Sequence, residues 1–159
     1  MRFFILSAVG IAIFLFSQTV SGFQIGNKSQ ILTRITTRAN YWGLEPALVK
    51  AVVRVESNFN PTAKNPADPS YGLMQITPIL AQDYGRVKDW RNPTKAEISM
   101  LYEPVWNLDI GCPHLSKLRK KYSFDIAVQM FNTGEYGYNS GVRNSDYLQK
   151  VKVQYGIYN

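Results

Sequence analysis

Apolar residues recur every three or four positions along most of the chain, a period typical of helices that bury one face. The clearest stripe covers residues 48–55 and follows Pro46, which suits a first helical turn. We expect this helix to end near Glu56-Ser57. Further helices are predicted over residues 31–42, from Phe124 to about Asn132 and over residues 147–151. Three more are predicted to begin after Thr77-Pro78, at Thr94, which forms a capping-box pattern with Glu97, and at Pro104. Strand signals are weak, so the fold is predicted to be mostly α.

Several positions are predicted to end or interrupt these helices. Residues 58–70 are rich in Asn, Pro, Asp and Ser, which argues against regular structure there. Pro113 should kink or restart the helix that begins at Pro104, because proline lacks the N–H group that an interior turn needs. Ser123 is a candidate cap for the next helix. The Gly- and Tyr-rich residues 134–141 are predicted to form a loop.

The N-terminus has the layout of a signal peptide over residues 1–22. Arg2 supplies a positive charge, residues 3–16 are almost entirely apolar, and small residues lead to Gly22, where we expect cleavage. The alternative is an uncleaved N-terminal anchor. In both cases we expect export to the periplasm or cell envelope, with residues 23–159 forming a single domain.

Composition and charge narrow the class of partner. With 159 residues and 45% apolar content, the chain is long enough for one hydrophobic core. Removal of residues 1–22 takes away only Arg2, so the formal charge falls from +7 to +6 and still favours polyanions. The basic run at residues 117–121 fits a solvated helix face better than a phosphate-binding patch. Export also argues against nucleic acid, which leaves peptidoglycan as the more natural anionic partner.

No cofactor is expected from the metal-ligating residues. Cys112 is the only cysteine, so an intramolecular disulfide is impossible, and a small buried apolar role is the favoured interpretation. His114 is the only histidine. A zinc site would therefore need mostly carboxylates, and none are clustered at ligand spacing. We expect no metal.

Glu56 is the residue whose local sequence points to chemistry. It ends an apolar helix, with Val52 and Val53 one turn before it, so its carboxyl should lie against hydrocarbon and have a raised pKa. A carboxylic acid that stays protonated near neutral pH can donate its proton to a glycosidic oxygen. The alternative is a helix-end glutamate that pairs with a nearby Arg or Lys.

Four strings of residues resemble one enzyme family. Glu56-Ser57 followed by residues 72–76 (Gly-Leu-Met-Gln-Ile) is similar to the paired signature of family-one lytic transglycosylases. The similarity continues in family order through Asn107 and Gly111, residues 130–134 (Met-Phe-Asn-Thr-Gly) and residues 147–151 (Tyr-Leu-Gln-Lys-Val). It covers the chain from about Leu44 to Val151.

This resemblance implies a fold and a reaction. The fold would be lysozyme-like, α+β but predominantly α, with a substrate cleft between a helical lobe and a small strand or loop lobe. Glu56 would be the sole acid/base, which protonates the leaving oxygen of a MurNAc-GlcNAc bond and then deprotonates the 6-hydroxyl of the same muramic acid. The product would carry a 1,6-anhydro-MurNAc end, and the N-acetyl group of that sugar would stabilise the cationic intermediate.

The resemblance also implies substrate-binding residues. Ser57 would orient Glu56 or the following loop, while the Gly72 backbone, Met74 and Gln75 would line the cleft and contact N-acetyl sugars. The remaining substrate-binding residues would be Asn65, Phe131, Asn132 and Tyr147. Tyr147 would be a wall or hydrogen-bonding residue. Core packing is the alternative for Met74 and Tyr147, and their place in the motifs favours the cleft.

The chain departs from the family pattern in three places. Phe131 stands where the family usually has a tyrosine, so a hydroxyl that could position Glu56 or substrate is absent. Asn65-Pro66 replaces a usual Ser-Pro, and the loop to residue 72 is about one residue longer than in some members. Arg143 occupies the place where some members have a glutamate. Asp146 lies close by, without an assigned role.

Three functions remain open at this point. Glycan-strand cleavage leads, with local wall opening for a conjugation, secretion or pilus machine and a monomeric enzyme as the expectation. A goose-type muramidase would hydrolyse the same bond and would need a carboxylate to position water, for which Asp68 and Asp83 are the candidates. A non-catalytic peptidoglycan-binding subunit, with Phe131 marking a decayed site, is the third.

Overall fold

We describe residues 28–159 from a computed structural model, and the predicted signal peptide over residues 1–22 lies outside this range. The described part of the chain is predominantly helical, with one small antiparallel sheet, as predicted. Its helices are α1 (Lys28–Tyr41), α2 (Pro46–Ser57), α3 (Pro78–Asp83), α4 (Lys95–Leu101), α5 (Pro104–Lys121), α6 (Phe124–Asn139) and α7 (Ser145–Tyr158). The strands are β1 (Lys64–Asn65) and β2 (Ser70–Tyr71). No helix within residues 28–159 is long and apolar enough to span a membrane.

Helix α2 lies at the centre of the core and packs against α1 and α7. Its apolar stripe is the reason, since Val49, Ala51, Val52 and Val53 are fully buried. Each valine or leucine buried in this way stabilises the fold by roughly 1.5–3 kcal/mol. Cys112 is also fully buried in this core, which confirms its predicted apolar role.

The predicted helix starts are confirmed, with one difference. The Thr77 side chain accepts the N–H of Leu80, and Thr94 and Glu97 form the reciprocal capping box. Ser123 occupies the N-cap position of α6, but its side chain makes no capping hydrogen bond. The predicted boundary is therefore right, although its expected cause is not.

The segment after α2 is more ordered than its composition predicts. Lys64 pairs with Tyr71 and Asn65 pairs with Ser70, so a short hairpin lies inside the predicted loop. The Asn65 side chain accepts the N–H of Ala67 at 3.0 Å and closes the tip. The residues that argue against regular structure therefore supply the turn between two strands.

Two predicted interruptions are absent or displaced. Helix α5 runs through Pro113 without a break, because apolar residues on both sides of it, such as Leu108 and Leu115, are fully buried. The predicted loop over residues 134–141 is helical from its second residue to Asn139, and inside this helix Gly134 leaves helical geometry, with φ +73°. The predicted restart at Pro113 and most of the predicted loop are therefore wrong, because packing and one glycine decide the backbone here.

Candidate active site

Glu56 is the residue before the last in α2, at the edge of the core. The helix ends in left-handed backbone at Asn58 and Phe59, with φ values of +54° and +63°. One turn back from Glu56, Val52 and Val53 are fully buried. The carboxyl is therefore half-buried against hydrocarbon, and this burial raises the pKa of Glu56 from 4.5 to about 7.

Tyr147 is the hydrogen-bond partner of Glu56. Its hydroxyl donates to Oε1 of Glu56 at 2.6 Å from the buried face of α7. This bond favours the ionised carboxylate and so lowers the pKa of Glu56, against the larger effect of burial. In the described part of the chain Glu56 forms no ion pair with Arg or Lys, so the helix-end salt bridge considered from the sequence is wrong.

Tyr147 is itself held by Asn144, which in turn bonds to Asn132. Asn144 caps α7 by accepting the Tyr147 N–H at 2.9 Å, and its amide nitrogen donates to Oδ1 of Asn132 at 2.8 Å. A chain of hydrogen bonds therefore connects the exposed Asn132 with Glu56. Sequence reasoning missed Asn144, although an asparagine three residues before an apolar helical residue is a common N-cap signal.

Ser57 joins the end of α2 to the motif loop, which we define as residues 72–76. Its hydroxyl lies 2.8 Å from the carbonyl oxygen of Leu73 and 3.1 Å from that of Val53. The loop closes on itself through paired backbone bonds between Tyr71 and Ile76. Ser57 thus fixes the position of this loop relative to Glu56.

Asn107, fully buried on α5, holds the motif loop from the other side. Its Oδ1 accepts the N–H of Met74 at 2.7 Å, and its Nδ2 donates to the carbonyls of Tyr71 at 2.8 Å and Leu101 at 2.7 Å. Gly72 has φ +76°, and a Cβ at this position would collide with the Asn107 amide. A glycine is therefore required where the loop passes over Asn107.

The side chain of Gln75 forms its hydrogen bonds within the hairpin and the motif loop. Its Nε2 lies 2.9 Å from the carbonyl oxygen of Gly72 and 3.3 Å from that of Ala63, and its Oε1 accepts the Ser70 hydroxyl at 2.9 Å. The N–H of Gly72 donates to Ala63 in turn. The polar groups that the resemblance assigns to sugar contacts are, in this structure, bonded within the protein.

Met74 is where the structure differs most from the predicted site. Its side chain is 1% exposed and packs against Gly111, where a Cβ would collide with the Met74 sulfur. The expectation that this side chain lines the cleft was wrong, since core packing occupies it. Asn65 and Asn132 are exposed, whereas Phe131 is half-buried beside His114, with ring centroids 5.8 Å apart.

The acidic residues considered from the sequence lie outside this arrangement. Asp68, Asp83 and Asp146 are exposed. Burial raises the pKa of Glu56, and the hydrogen bond from Tyr147 lowers it by less. The charge of a second carboxylate is not among the causes. Residues 28–159 also contain no cluster of three or more His, Cys, Asp or Glu side chains placed to hold a metal ion.

The hydrogen bond from Tyr147 predicts a change that can be measured on the free protein. In Tyr147→Phe the ionised carboxylate loses its donor, so Glu56 should become about tenfold weaker as an acid. Its pKa would therefore rise further above 7. Carboxyl NMR titration of both proteins measures this, with Tyr136→Phe as the control at an exposed tyrosine. Identical titration curves would contradict the role given to Tyr147.

Comparison with known proteins assigns the chain to a family. The profile of the transglycosylase SLT domain matches residues 34–154, which is most of the chain. The chain therefore belongs to the transglycosylase SLT domain family, as its sequence motifs predicted. The match includes every candidate site residue from Glu56 to Tyr147.

Two curated relatives and one solved structure illustrate this similarity. The chain is 38% identical over 89 residues to membrane-bound lytic murein transglycosylase E of Buchnera aphidicola, which is 55% of this chain and 39% of that protein. It is 36% identical over 83 residues to membrane-bound lytic murein transglycosylase C of Pectobacterium atrosepticum, which is 51% of this chain and 22% of that protein. The chain thus spans about two fifths or less of these relatives.

The solved structure is an inactive glutamate-to-glutamine mutant of the lytic transglycosylase Slt from Pseudomonas aeruginosa. Its TM-score is 0.58 at 19% identity, with 79% of this chain and 23% of that chain covered. At this identity the likeness concerns the fold, and it confirms the predicted lysozyme-like, predominantly α architecture.

Proposed function

We propose that this chain is a peptidoglycan lytic transglycosylase that cleaves the MurNAc-GlcNAc bond without water and leaves 1,6-anhydro-MurNAc ends. The observation that carries the proposal is the half-buried Glu56, whose pKa is raised to about 7 and whose carboxyl is bound by Tyr147. Family membership and the names of the relatives support it. So does the solved relative, which was inactivated by exchanging a glutamate for glutamine.

In the first step Glu56 acts as an acid. Its proton passes to the glycosidic oxygen while the bond between that oxygen and C1 of the muramic acid breaks, and the GlcNAc hydroxyl leaves. Positive charge develops at C1, where the muramoyl N-acetyl group stabilises it. A carboxyl with a pKa of about 7 is about half protonated at neutral pH, whereas an ordinary glutamate is almost fully ionised there.

In the second step the same carboxylate acts as a base. It accepts the proton of the 6-hydroxyl as that oxygen bonds to C1, which closes the anhydro ring and returns Glu56 to its acid form. Between the two steps Tyr147 stabilises and orients the ionised carboxylate, because its hydroxyl donates to it. The reaction consumes no water and requires no second protein carboxylate.

The other motif residues support substrate around this carboxyl. Ser57 and the Gly72 backbone hold the motif loop in place, and Gln75 stiffens it from within. The exposed Asn65 and Asn132 offer side-chain amides to the sugars. Phe131 provides an apolar surface where related enzymes place a hydroxyl.

The two alternative functions are less well supported. A muramidase would need a carboxylate near Glu56 to position water, and no carboxylate charge is among the causes of the raised pKa of Glu56. A subunit that only binds glycan does not need a carboxyl whose pKa is raised by burial, whereas an acid catalyst does. We therefore favour cleavage over both.

One assay separates these functions. Purified peptidoglycan is digested with a protein comprising residues 23–159, and the soluble products are examined by mass. Products with anhydro ends are expected. Reducing ends, heavier by one water, would show hydrolysis, and the absence of released products would show that the chain only binds the wall.

The pH dependence of cleavage follows from the pKa of Glu56. The first step needs the protonated acid, and the pKa is about 7, so kcat/KM should fall about tenfold for each pH unit well above 7. With an ordinary glutamate as the acid, the fall would begin near pH 4 to 5. Initial rates on soluble glycan strands between pH 5 and 9 measure this. A rate that is constant from pH 7 to 9 would contradict the assignment.

We further propose that residues 1–22 direct export and that the enzyme acts as a monomer in the periplasm or cell envelope. Two curated relatives are named membrane-bound, which places those proteins at the envelope. The proposed role is local wall opening for a conjugation, secretion or pilus machine. N-terminal sequencing of the exported protein tests cleavage near Gly22.

A further inference from the structure

Three aromatic rings meet beside the motif that contains Phe131. The ring centroid of His114 lies 5.8 Å from that of Phe131 and 6.2 Å from that of Tyr84, which meets it edge-on at 90°. The rings come from α5, from α6 and from the end of α3, and all three are half-buried. We call Tyr84, His114 and Phe131 the ring cluster.

The imidazole of His114 has polar atoms with no protein partner. Within residues 28–159 it forms no hydrogen bond or ion pair, and its ring packs against those of Tyr84 and Phe131. The only fully buried side-chain polar atoms without a partner in this range belong to Trp42 and Gln129. The nitrogens of His114 are therefore unpartnered but not fully buried.

The ring cluster is connected with Glu56 through α6 and α7. Phe131 is followed directly by Asn132, which accepts a hydrogen bond from Asn144. Asn144 caps the helix whose Tyr147 donates to Glu56. Covalent and hydrogen bonds through Asn132, Asn144 and Tyr147 thus connect the cluster with the proposed acid.

The charges around His114 favour its neutral form. Burial lowers its pKa, and the positive charge of Lys117 on the same helix lowers it further, while Glu135 on α6 and Asp83 on α3 oppose this. Lys117 and Glu135 also pair with each other at 3.6 Å. A neutral imidazole presents one donor and one acceptor, which matches a sugar hydroxyl or an acetamido group.

We propose that the ring cluster is a glycan subsite next to the acid, in which a nitrogen of His114 hydrogen-bonds a hydroxyl or acetamido group of the strand. The rings of Tyr84 and Phe131 provide the apolar surface on which the face of a sugar ring packs. His114 would thereby supply a polar group on the wall where Phe131 has none. The identity of the ligand as a peptidoglycan glycan rests on the proposed function above.

The test compares two variants that separate the nitrogens of His114 from its ring. His114→Phe keeps an aromatic ring and removes both nitrogens, whereas His114→Asn keeps a donor and an acceptor and removes the ring. Each is combined with Glu56→Gln, and binding to peptide-free soluble glycan strands is measured by calorimetry at pH 7. Loss of one substrate hydrogen bond should raise the Kd about tenfold in the His114→Phe protein. The His114→Asn protein should bind more tightly than that.

Lys117→Gln is the matched control, because it removes the neighbouring charge and leaves the ring cluster intact. Its Kd should stay within about twofold of the parent value. Equal Kd values for His114→Phe and its parent would overturn the proposal. So would weak binding by His114→Asn with normal binding by His114→Phe, since the ring alone would then matter.

The same variants with Glu56 present distinguish the subsite from the reaction. If the subsite acts in substrate binding, His114→Phe should raise KM about tenfold and change kcat little. A protein that releases no glycan products, yet binds strands less well after His114→Phe, would refute the proposed reaction and support the subsite. A fall in kcat with an unchanged KM would overturn the subsite.

Discussion

Exchanging Glu56 for glutamine should reduce release of anhydro products by about 10³- to 10⁴-fold, because one carboxyl supplies the proton in the first step and removes a proton in the second. Glutamine keeps the shape of the side chain and its hydrogen bond from Tyr147, but it does not titrate. Mass analysis of digests at matched protein concentration measures the loss. Turnover at the wild-type rate would refute the assignment of Glu56.

The same exchange should leave the protein folded and make it more stable at alkaline pH. The folded pKa of about 7 lies above the unfolded value near 4.5, so Glu56 lowers the free energy of unfolding as pH rises from about 4.5 through about 7, and the loss is then complete. The full loss is on the order of 3 kcal/mol. Because glutamine avoids it, urea unfolding at pH 8 should show the variant to be the more stable protein. Glycan binding should persist.

Exchanging Asn107 for alanine should lower the free energy of unfolding by about 3–5 kcal/mol. The loss follows because the Met74 N–H and the carbonyls of Tyr71 and Leu101 would remain buried without partners. Urea denaturation followed by circular dichroism measures this. Asn92→Ala is the control, because Asn92 is exposed, and its effect should stay within about 0.5 kcal/mol.

The Asn107 variant should also lose activity, because the motif loop would no longer be fixed opposite Ser57 and Glu56. Assays below the unfolding midpoint separate this effect from global unfolding. A variant as stable as the wild type would show that the three hydrogen bonds of Asn107 contribute little. If the variant kept its stability but lost activity, the main role of Asn107 would lie in the cleavage reaction.

Helix starts and buried faces could be predicted from the sequence because both depend on local residues. Pro46 and the stripe after it define α2, and Thr94 with Glu97 defines the start of α4. The environment of Glu56 follows from the same stripe, which explains why its raised pKa was expected. These predictions needed only the period of a helix and the chemistry of its ends.

Contacts between distant residues were harder to predict. Strands of two residues are too short to show alternation, so the hairpin could not be recognised. Asn107 and Asn144 bond to partners far away in the sequence, and their spacing alone does not reveal those partners. Met74 shows a further limit, since membership of a motif did not indicate whether its side chain faces solvent or the core.

The attachment of the motif loop on two sides has a consequence for how a glycan strand is captured. Ser57 joins the loop to the end of α2, and Asn107 joins it to α5, so the loop moves only if buried hydrogen bonds break. The glycan strand should then bind to a preformed site, and the protein should lose little conformational entropy on binding. The strand must bend to fit the enzyme, and strands whose sugars already hold the required conformation should associate fastest.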